Sequence, residues 1–500
     1  MPKLHFVHFV GLIGVVLILL VEACAQAGLP VDRTSEPSST IQVTASPTQQ
    51  ASPAPSSTSL PTALPSETPQ PQAGEASIGD PYAPELGNSG YDVQHYNLQL
   101  NLDPSRAVVD GVVTIQSTGT LPAIDRLSLD FSGFEIRALT VDDQDASFER
   151  AGDKLWIDLP EVVLEGDSFT IKISYAGEPL VEPSPYVPFL GHVGLFFPGS
   201  TIFTLSEPDG AHYWFPCNDH PRDKATFSFQ LTVPSEMIGV ANGSLQDTIQ
   251  NPDGTRTYLW EDPYPTATYL AVVGVGNYDL LEFNSPDGVP VRNYIYPDLN
   301  TEFNSAAQIT GEALDWMASQ YGPYPFDNFG YMTSRLVGLA SETQTMVVLP
   351  EISINEETLI HEMAHMWFGD WVSLDTWADM WLKEGPAIYT YLLWQTRDNP
   401  QDLDIFMADR TAKLLAHPDG YALENLPKSQ LLGTDTYWKG AAVFHALRKE
   451  IGDEAFFDGL RTYLENYGGG NASYQDFKAV MESMSGSSLD EFFEQWVETP

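Results

Sequence analysis

Cysteine is nearly absent from this 500-residue sequence: only Cys24 and Cys217 occur. That excludes a disulfide framework and leaves at most one bridge. Positive charge is also scarce, with 23 Lys+Arg against 68 Asp+Glu and a formal net charge of −45. Such a chain is repelled by phosphate backbones, which excludes non-specific nucleic-acid binding. It also has too few cations for a polybasic membrane patch. Long apolar runs are missing except for Phe6 to Val21, which is short for a bilayer span of about 20 residues. No internal repeat is evident. What remains is globular: 43% hydrophobic and 12% aromatic residues suffice for large cores, and the length predicts two or three domains.

The N-terminus reads as an address followed by a tether. Lys3 and the apolar run form an export signal over residues 1–23. Val21-Glu22-Ala23-Cys24 resembles the bacterial lipobox, in which the cysteine receives lipid and becomes the mature N-terminus; Glu22 departs from that pattern. Cys24 is therefore the expected lipidation site, holding the protein on the outer face of the cytoplasmic membrane. Ordinary secretion and an uncleaved signal anchor are the alternatives. Residues 24–88 are rich in Pro, Ser, Thr, Gln and Ala, and no aromatic residue occurs between Val10 and Pro81. Such a stretch buries too little to offset the entropy of ordering, so a disordered tether is expected.

Residues 89–283 read as a β domain. Tyr96 to Leu102, Phe169 to Tyr175 and Phe227 to Val233 alternate with period two, and turn clusters such as Asn251-Pro252-Asp253-Gly254 separate the runs. Thr266 to Gly276 reads as a more buried strand. Residues 284–500 read as mainly helical. Helical spacing predicts helices over Glu302 to Tyr321, Glu356 to Phe368, Asp379 to Thr396, Leu403 to Leu415, Tyr437 to Ile451, Asp453 to Tyr467 and Tyr474 to Met484. A strand-like piece interrupts them near Met332 to Leu349.

One motif carries most of the chemistry: His361-Glu362-Met363-Ala364-His365. Histidines at i and i+4 share one helix face, so both imidazoles reach one ion, and Glu362 beside them can act on a metal-activated water. A catalytic zinc needs three protein ligands and one open position. Glu384, in Trp381-Leu382-Lys383-Glu384-Gly385-Pro386, is the candidate third ligand. Eighteen residues separate it from His365, enough to turn and return on a neighbouring helix. The other histidines show no comparable spacing.

From about Tyr91 to Pro500 the sequence resembles the M1-type zinc aminopeptidases, or gluzincins. His361 to Val372 looks like that family's zinc helix, and Trp377 to Ala387 like its third-ligand segment, with Pro386 in place of the usual aromatic. Tyr437-Trp438-Lys439-Gly440-Ala441 resembles the segment whose tyrosine, here Tyr437, donates to the oxyanion. Val337 to Thr345 is similar to the Gly-Ala-Met-Glu-Asn exopeptidase motif, departing from it at Leu339, Ser341 and Thr343 but keeping Glu342. Thr204-Leu205-Ser206-Glu207-Pro208 resembles a second amine-binding segment, with Leu205 replacing a glutamine. Cys217, nearby, reads as a buried thiol.

The resemblance implies a multidomain α+β fold. A saddle-like antiparallel β domain would precede a mainly α, thermolysin-like catalytic domain, in a short form lacking the family's C-terminal helical domain. It also implies one Zn2+ held by His361, His365 and Glu384. Glu362 would be the general base, Tyr437 the oxyanion donor, and Glu207 and Glu342 the holders of the α-amine of peptides with a free N-terminus. Two other readings stay open: a zinc endopeptidase with a thermolysin-like mechanism, and a surface protein that binds peptides without turnover.

Overall fold

The structure, a computed structural model, describes residues 69–335, 339–416 and 420–500. The export signal, Cys24, the tether as far as residue 68, Val337 and His417 lie outside the described residues.

Alternating burial builds the first half. In Tyr91–Asp103 the buried positions are Tyr91 and Val93, then Tyr96, Leu98, Leu100 and Leu102. The parity changes because the register slips between Val93 and His95, as an extra residue in a strand requires. This strand lies inside an eight-stranded sheet. From one edge its order is Ser244–Gln250, Thr255–Thr266, Ala225–Pro234, Tyr91–Asp103, Val108–Gly119, Ser168–Gly177, Glu135–Val141 and Gln144–Asp145. Every pairing is antiparallel except that of Tyr91–Asp103 with Ala225–Pro234, which is parallel. A parallel pair needs a long crossover. Here the intervening chain supplies most of one further four-stranded sheet and part of another. The latter joins Gly194–Phe196 and Ile202–Leu205 to Val273–Gly276 and Ile238–Ala241. The buried strand expected over Thr266 to Gly276 is interrupted by a 3-10 turn at Thr268–Leu270.

The ordered body begins earlier than residue 89. Gln72–Ala73 pairs with Ala123–Asp130, and Ala83 and Leu86 are buried. Asp80 has no exposed side-chain surface. Its carboxylate accepts hydrogen bonds from His220 Nε2 (3.0 Å), the Thr376 hydroxyl (2.7 Å) and the Trp377 N–H (3.0 Å). The last part of the expected tether is therefore a strap across the body. Tyr82, Ala83 and Leu86 supply the apolar surface that the Pro/Ser/Thr stretch before them lacks.

The second half is built on a mixed sheet: Asp279–Asn284 antiparallel to Pro290–Ile295, then Tyr331–Ser334 and Val347–Pro350 in parallel. Asp279–Asn284 belongs to this sheet, so the β-to-α boundary falls a few residues before 283. The piece expected near Met332 to Leu349 is two short strands, and the connection between them carries Glu342. Around this sheet, Glu356–Ala364 packs on Trp381–Gln395, which packs on Gly440–Ile451. Asp453–Tyr467 and Tyr474–Ser485 follow. The latter opens with a Ser473/Asp476 capping box and closes on Gly486 at φ 66°, the local signals that start and stop a helix. The whole is α+β, a β-rich N-terminal part before a mainly helical one.

Candidate metal and active site

Asn355 opens the Glu356–Ala364 helix by accepting the Thr358 N–H at 3.0 Å. The acids Glu356 and Glu357 sit in its first turn, where the helix dipole favours them. The helix stops at Ala364, four residues short of the expected end. His365 is its C-cap, and the chain then turns through Gly369 at φ 118°. That turn does chemical work. His365 Nδ1 donates to the Phe368 carbonyl at 2.9 Å, which leaves the Nε2 lone pair facing inward.

Three such atoms converge. His361 Nε2 and His365 Nε2 lie 3.2 Å apart. Glu384 Oε2 is 3.2 Å from the first and 3.4 Å from the second. Glu384 Oε2 is buried without a hydrogen-bond partner. Burial pushes the His361 pKa down, although Glu384 pulls it up; the net shift favours the neutral imidazole, whose Nε2 lone pair can face a metal. Two imidazole nitrogens and a carboxylate oxygen brought this close together fit a divalent cation, and the N2O set suits zinc.

Glu362, from the same helix, is buried. Burial first, and then the charges of Glu342 and Glu384, hold its carboxyl well above the usual range. A carboxylate so placed is a stronger base than one in water. Tyr437 approaches from the other side, its ring 5.9 Å from that of His361. It stands on a π-helical turn, Asp435–Lys439, that precedes Gly440–Ile451, not on the regular helix expected from Tyr437. Burial and the nearby Glu384 raise its phenol pKa, so it stays a neutral donor.

Glu207 and Glu342 each bring a carboxylate oxygen within 4.8 Å of Glu384. Glu207 follows the strand Ile202–Leu205. Glu342 is held by its neighbours: Ser341 exchanges two backbone hydrogen bonds with Val348, at 3.0 and 2.9 Å. Asn242 Nδ2 donates to the Gln344 carbonyl at 2.7 Å, and the Gly243 N–H donates to Thr345 Oγ1 at 2.9 Å. All seven candidates named from residue 207 onward thus gather in one place: Glu207, Glu342, His361, Glu362, His365, Glu384 and Tyr437.

The family model described as Peptidase M1 N-terminal domain matches residues 92–270, and that described as Peptidase family M1 domain matches residues 316–496. Together they span most of the chain. The chain belongs to the M1 peptidase family. Curated M1 relatives include Aminopeptidase M1-B of Oryza sativa subsp. japonica, 27% identical over 328 residues, 59% of this chain and 36% of the relative. Glutamyl aminopeptidase of Homo sapiens is 27% identical over the same length, 59% of this chain and 34% of its own. The chain spans about a third of the length of these curated relatives. Among solved structures, an M1 zinc metallopeptidase from Deinococcus radiodurans superposes with a TM-score of 0.78 at 29% identity, covering 84% of this chain and 96% of that one. A mutant of it bound to a Tyr-Ser-Ala substrate gives a TM-score of 0.77 at 29% identity, over 84% of this chain and 97% of that one. A further M1 structure, described as having two domains, holds L-tryptophan.

The M1 motifs also carry parts whose role their spacing does not reveal. Lys383, beside the third candidate ligand, is fully buried and faces three carboxylates. Gly385 and Gly440 touch: a Cβ on Gly385 would meet the Gly440 carbonyl carbon at 2.7 Å. Two M1 segments thus meet backbone to backbone, which brings Glu384 and Tyr437 to one place. Lys439 donates to the carbonyls of Tyr421 (2.9 Å) and Thr499 (2.7 Å), anchoring the turn that carries Tyr437. A lone lysine inside the apolar stretch Trp377 to Leu393 was the one available signal for Lys383. Cys217 is a buried free thiol with no part in the site.

Proposed function

We propose that this chain is a zinc aminopeptidase that removes N-terminal residues from peptides. The observation that carries the reading is the pair Glu207 and Glu342 beside the His361, His365 and Glu384 set. Two carboxylates next to a metal centre bind one ammonium a short distance from the bond to be cut, which is the geometry of an exopeptidase.

One zinc per chain, held by His361 Nε2, His365 Nε2 and Glu384 Oε2, would supply Lewis-acid polarisation of the scissile carbonyl and of the attacking water. Glu207 and Glu342 hold the α-ammonium and so fix which peptide bond faces Glu362. The Glu362 carboxylate takes a proton from the water and delivers it to the departing amine nitrogen. Tyr437 donates its phenolic proton in a hydrogen bond to the oxygen that gains negative charge, an interaction that strengthens toward the transition state. Export and lipidation at Cys24 complete the proposal, placing the activity outside the cytoplasmic membrane.

The test compares aminoacyl fluorogenic amides with their N-acetylated forms, using the purified zinc-loaded protein. Hydrolysis confined to the free-amine forms is expected. Equal hydrolysis of both would overturn the exopeptidase reading in favour of a zinc endopeptidase.

A further inference from the structure

The carboxylates assigned to the substrate's amine already hold an ammonium of the chain's own. Lys383 Nζ donates to Glu342 Oε1 at 2.6 Å and to Glu384 Oε1, and it lies 2.5 Å from Glu207 Oε1. Its side chain has no exposed surface. It lies 6.0 Å from the centre of the Tyr269 ring, so an aromatic face backs it as well. An ammonium has three protons and no acceptor, and here three carboxylates surround it.

The division of oxygens is informative. In both Glu207 and Glu342 it is Oε1 that meets Lys383. Glu342 Oε1 accepts a hydrogen bond from it, while Glu207 Oε1 meets it as an ion pair without hydrogen-bond geometry; Oε2 of each has no hydrogen-bond partner among the described residues and is not sealed off as Glu207 Oε1 is. One oxygen of each carboxylate therefore faces inward to the lysine, and the other is left for a ligand. Without Lys383, two buried like charges would repel and splay apart. With it, the outer oxygens are aligned before any substrate arrives, so the cost of assembling them is not taken from the binding energy.

We propose that Lys383 is a specificity-determining positioning residue: its ammonium clamps Glu207 and Glu342 from behind and presents their outer oxygens to the α-amine of the peptide. This rests on the aminopeptidase reading for the identity of the ligand but is tested by binding. Turnover is blocked with Glu362→Gln in the zinc-loaded protein. Calorimetry then compares leucinamide with 4-methylpentanamide, the same molecule without its amine. Lys383→Met is expected to weaken leucinamide at least tenfold and to move 4-methylpentanamide less than twofold, with zinc content still one per chain. Lys383→Asn, which keeps a donor but loses the charge, carries the same comparison if the methionine variant does not fold. In the active enzyme the loss is expected to be larger in KM for leucyl amides than in kcat.

Equal weakening of both ligands, no weakening, no leucinamide binding, or loss of zinc would each overturn the proposal. Failure of the wider reading looks different. If blocked peptides are cleaved while leucinamide binding still depends on Lys383, the exopeptidase reading falls and the clamp stands.

Discussion

Glu384 divides its work between two oxygens. Oε2 faces the histidines at 3.2 and 3.4 Å, and Oε1 accepts from Lys383. Burial opposes its charge, but Lys383 and His365 outweigh that and hold its carboxyl well below the usual range. Tyr437 works differently: it touches no candidate ligand by a hydrogen bond, and its ring only flanks His361. In the proposed mechanism its contribution belongs to the transition state. Tyr437→Phe is therefore expected to lower kcat by about 10²–10³-fold, with KM and zinc content nearly unchanged. Steady-state kinetics on free-amine aminoacyl amides together with metal analysis would check this. A loss confined to KM would place Tyr437 in ground-state binding instead.

At the scale of elements, the site is a meeting of helices that glycine permits. Gly385 follows the third candidate ligand, and Gly440 comes three residues after Tyr437. Each would drive a Cβ into the other's backbone, at 2.7 Å and 3.0 Å. Gly440→Ala must push Gly440–Ile451 away from Trp381–Gln395 or strain both. An overpacked contact costs about 1–3 kcal/mol. The expected result is a lower melting temperature and a kcat reduced at least tenfold, because Tyr437 moves with its helix while His361 and Glu384 do not. Unchanged kcat in a folded Gly440→Ala protein would show that this crossing does not set the Tyr437 position. The strap ending at residue 88 acts on the same helix. Asp80 receives the Trp377 N–H, four residues before Trp381, and joins it to His220 of the β part. Burial pushes the Asp80 carboxyl up, but hydrogen bonds from His220, Thr376, Trp377 and Tyr82 win and hold it well below its ordinary value.

At the scale of the whole molecule, a chain with a formal charge of −45 still buries carboxyls in its interior. Asp262 is one, where the β part meets the loop of Glu342. It accepts from Gln344 Nε2 and the Thr266 hydroxyl, both at 3.2 Å. Burial pushes its pKa from 3.8 up to about 7, against those hydrogen bonds and the Arg292 charge. The folded state thus holds a proton that the unfolded state has lost. The stabilisation is full below about 4 and disappears as pH rises through about 7. Asp262→Asn removes the titration, so its melting temperature relative to wild type is expected to climb by a few degrees from pH 4.5 to pH 7.5. The difference between the two proteins cancels the self-repulsion they share. A difference independent of pH, measured by calorimetry across that range, would contradict the assignment.

Local pattern carried far in this sequence. Period-two runs foretold the strands, and period 3.6 foretold most of the helices. The spacing of His361, Glu362 and His365 foretold two imidazoles on one helix face. These are properties of neighbours along the chain, where geometry is set by the backbone itself. Spacing could not foretell where Glu356–Ala364 stops, because the stop depends on how Phe368 and Gly369 turn under His365. Nor could it foretell that Glu207, Glu342 and Glu384 close around Lys383. The sequence alone determined the helical and strand periods and the local pair of histidines. Only the tertiary structure decided the lysine clamp, the Gly385–Gly440 crossing and the Asp80 strap, because each joins residues far apart in the chain whose contact depends on how whole elements pack.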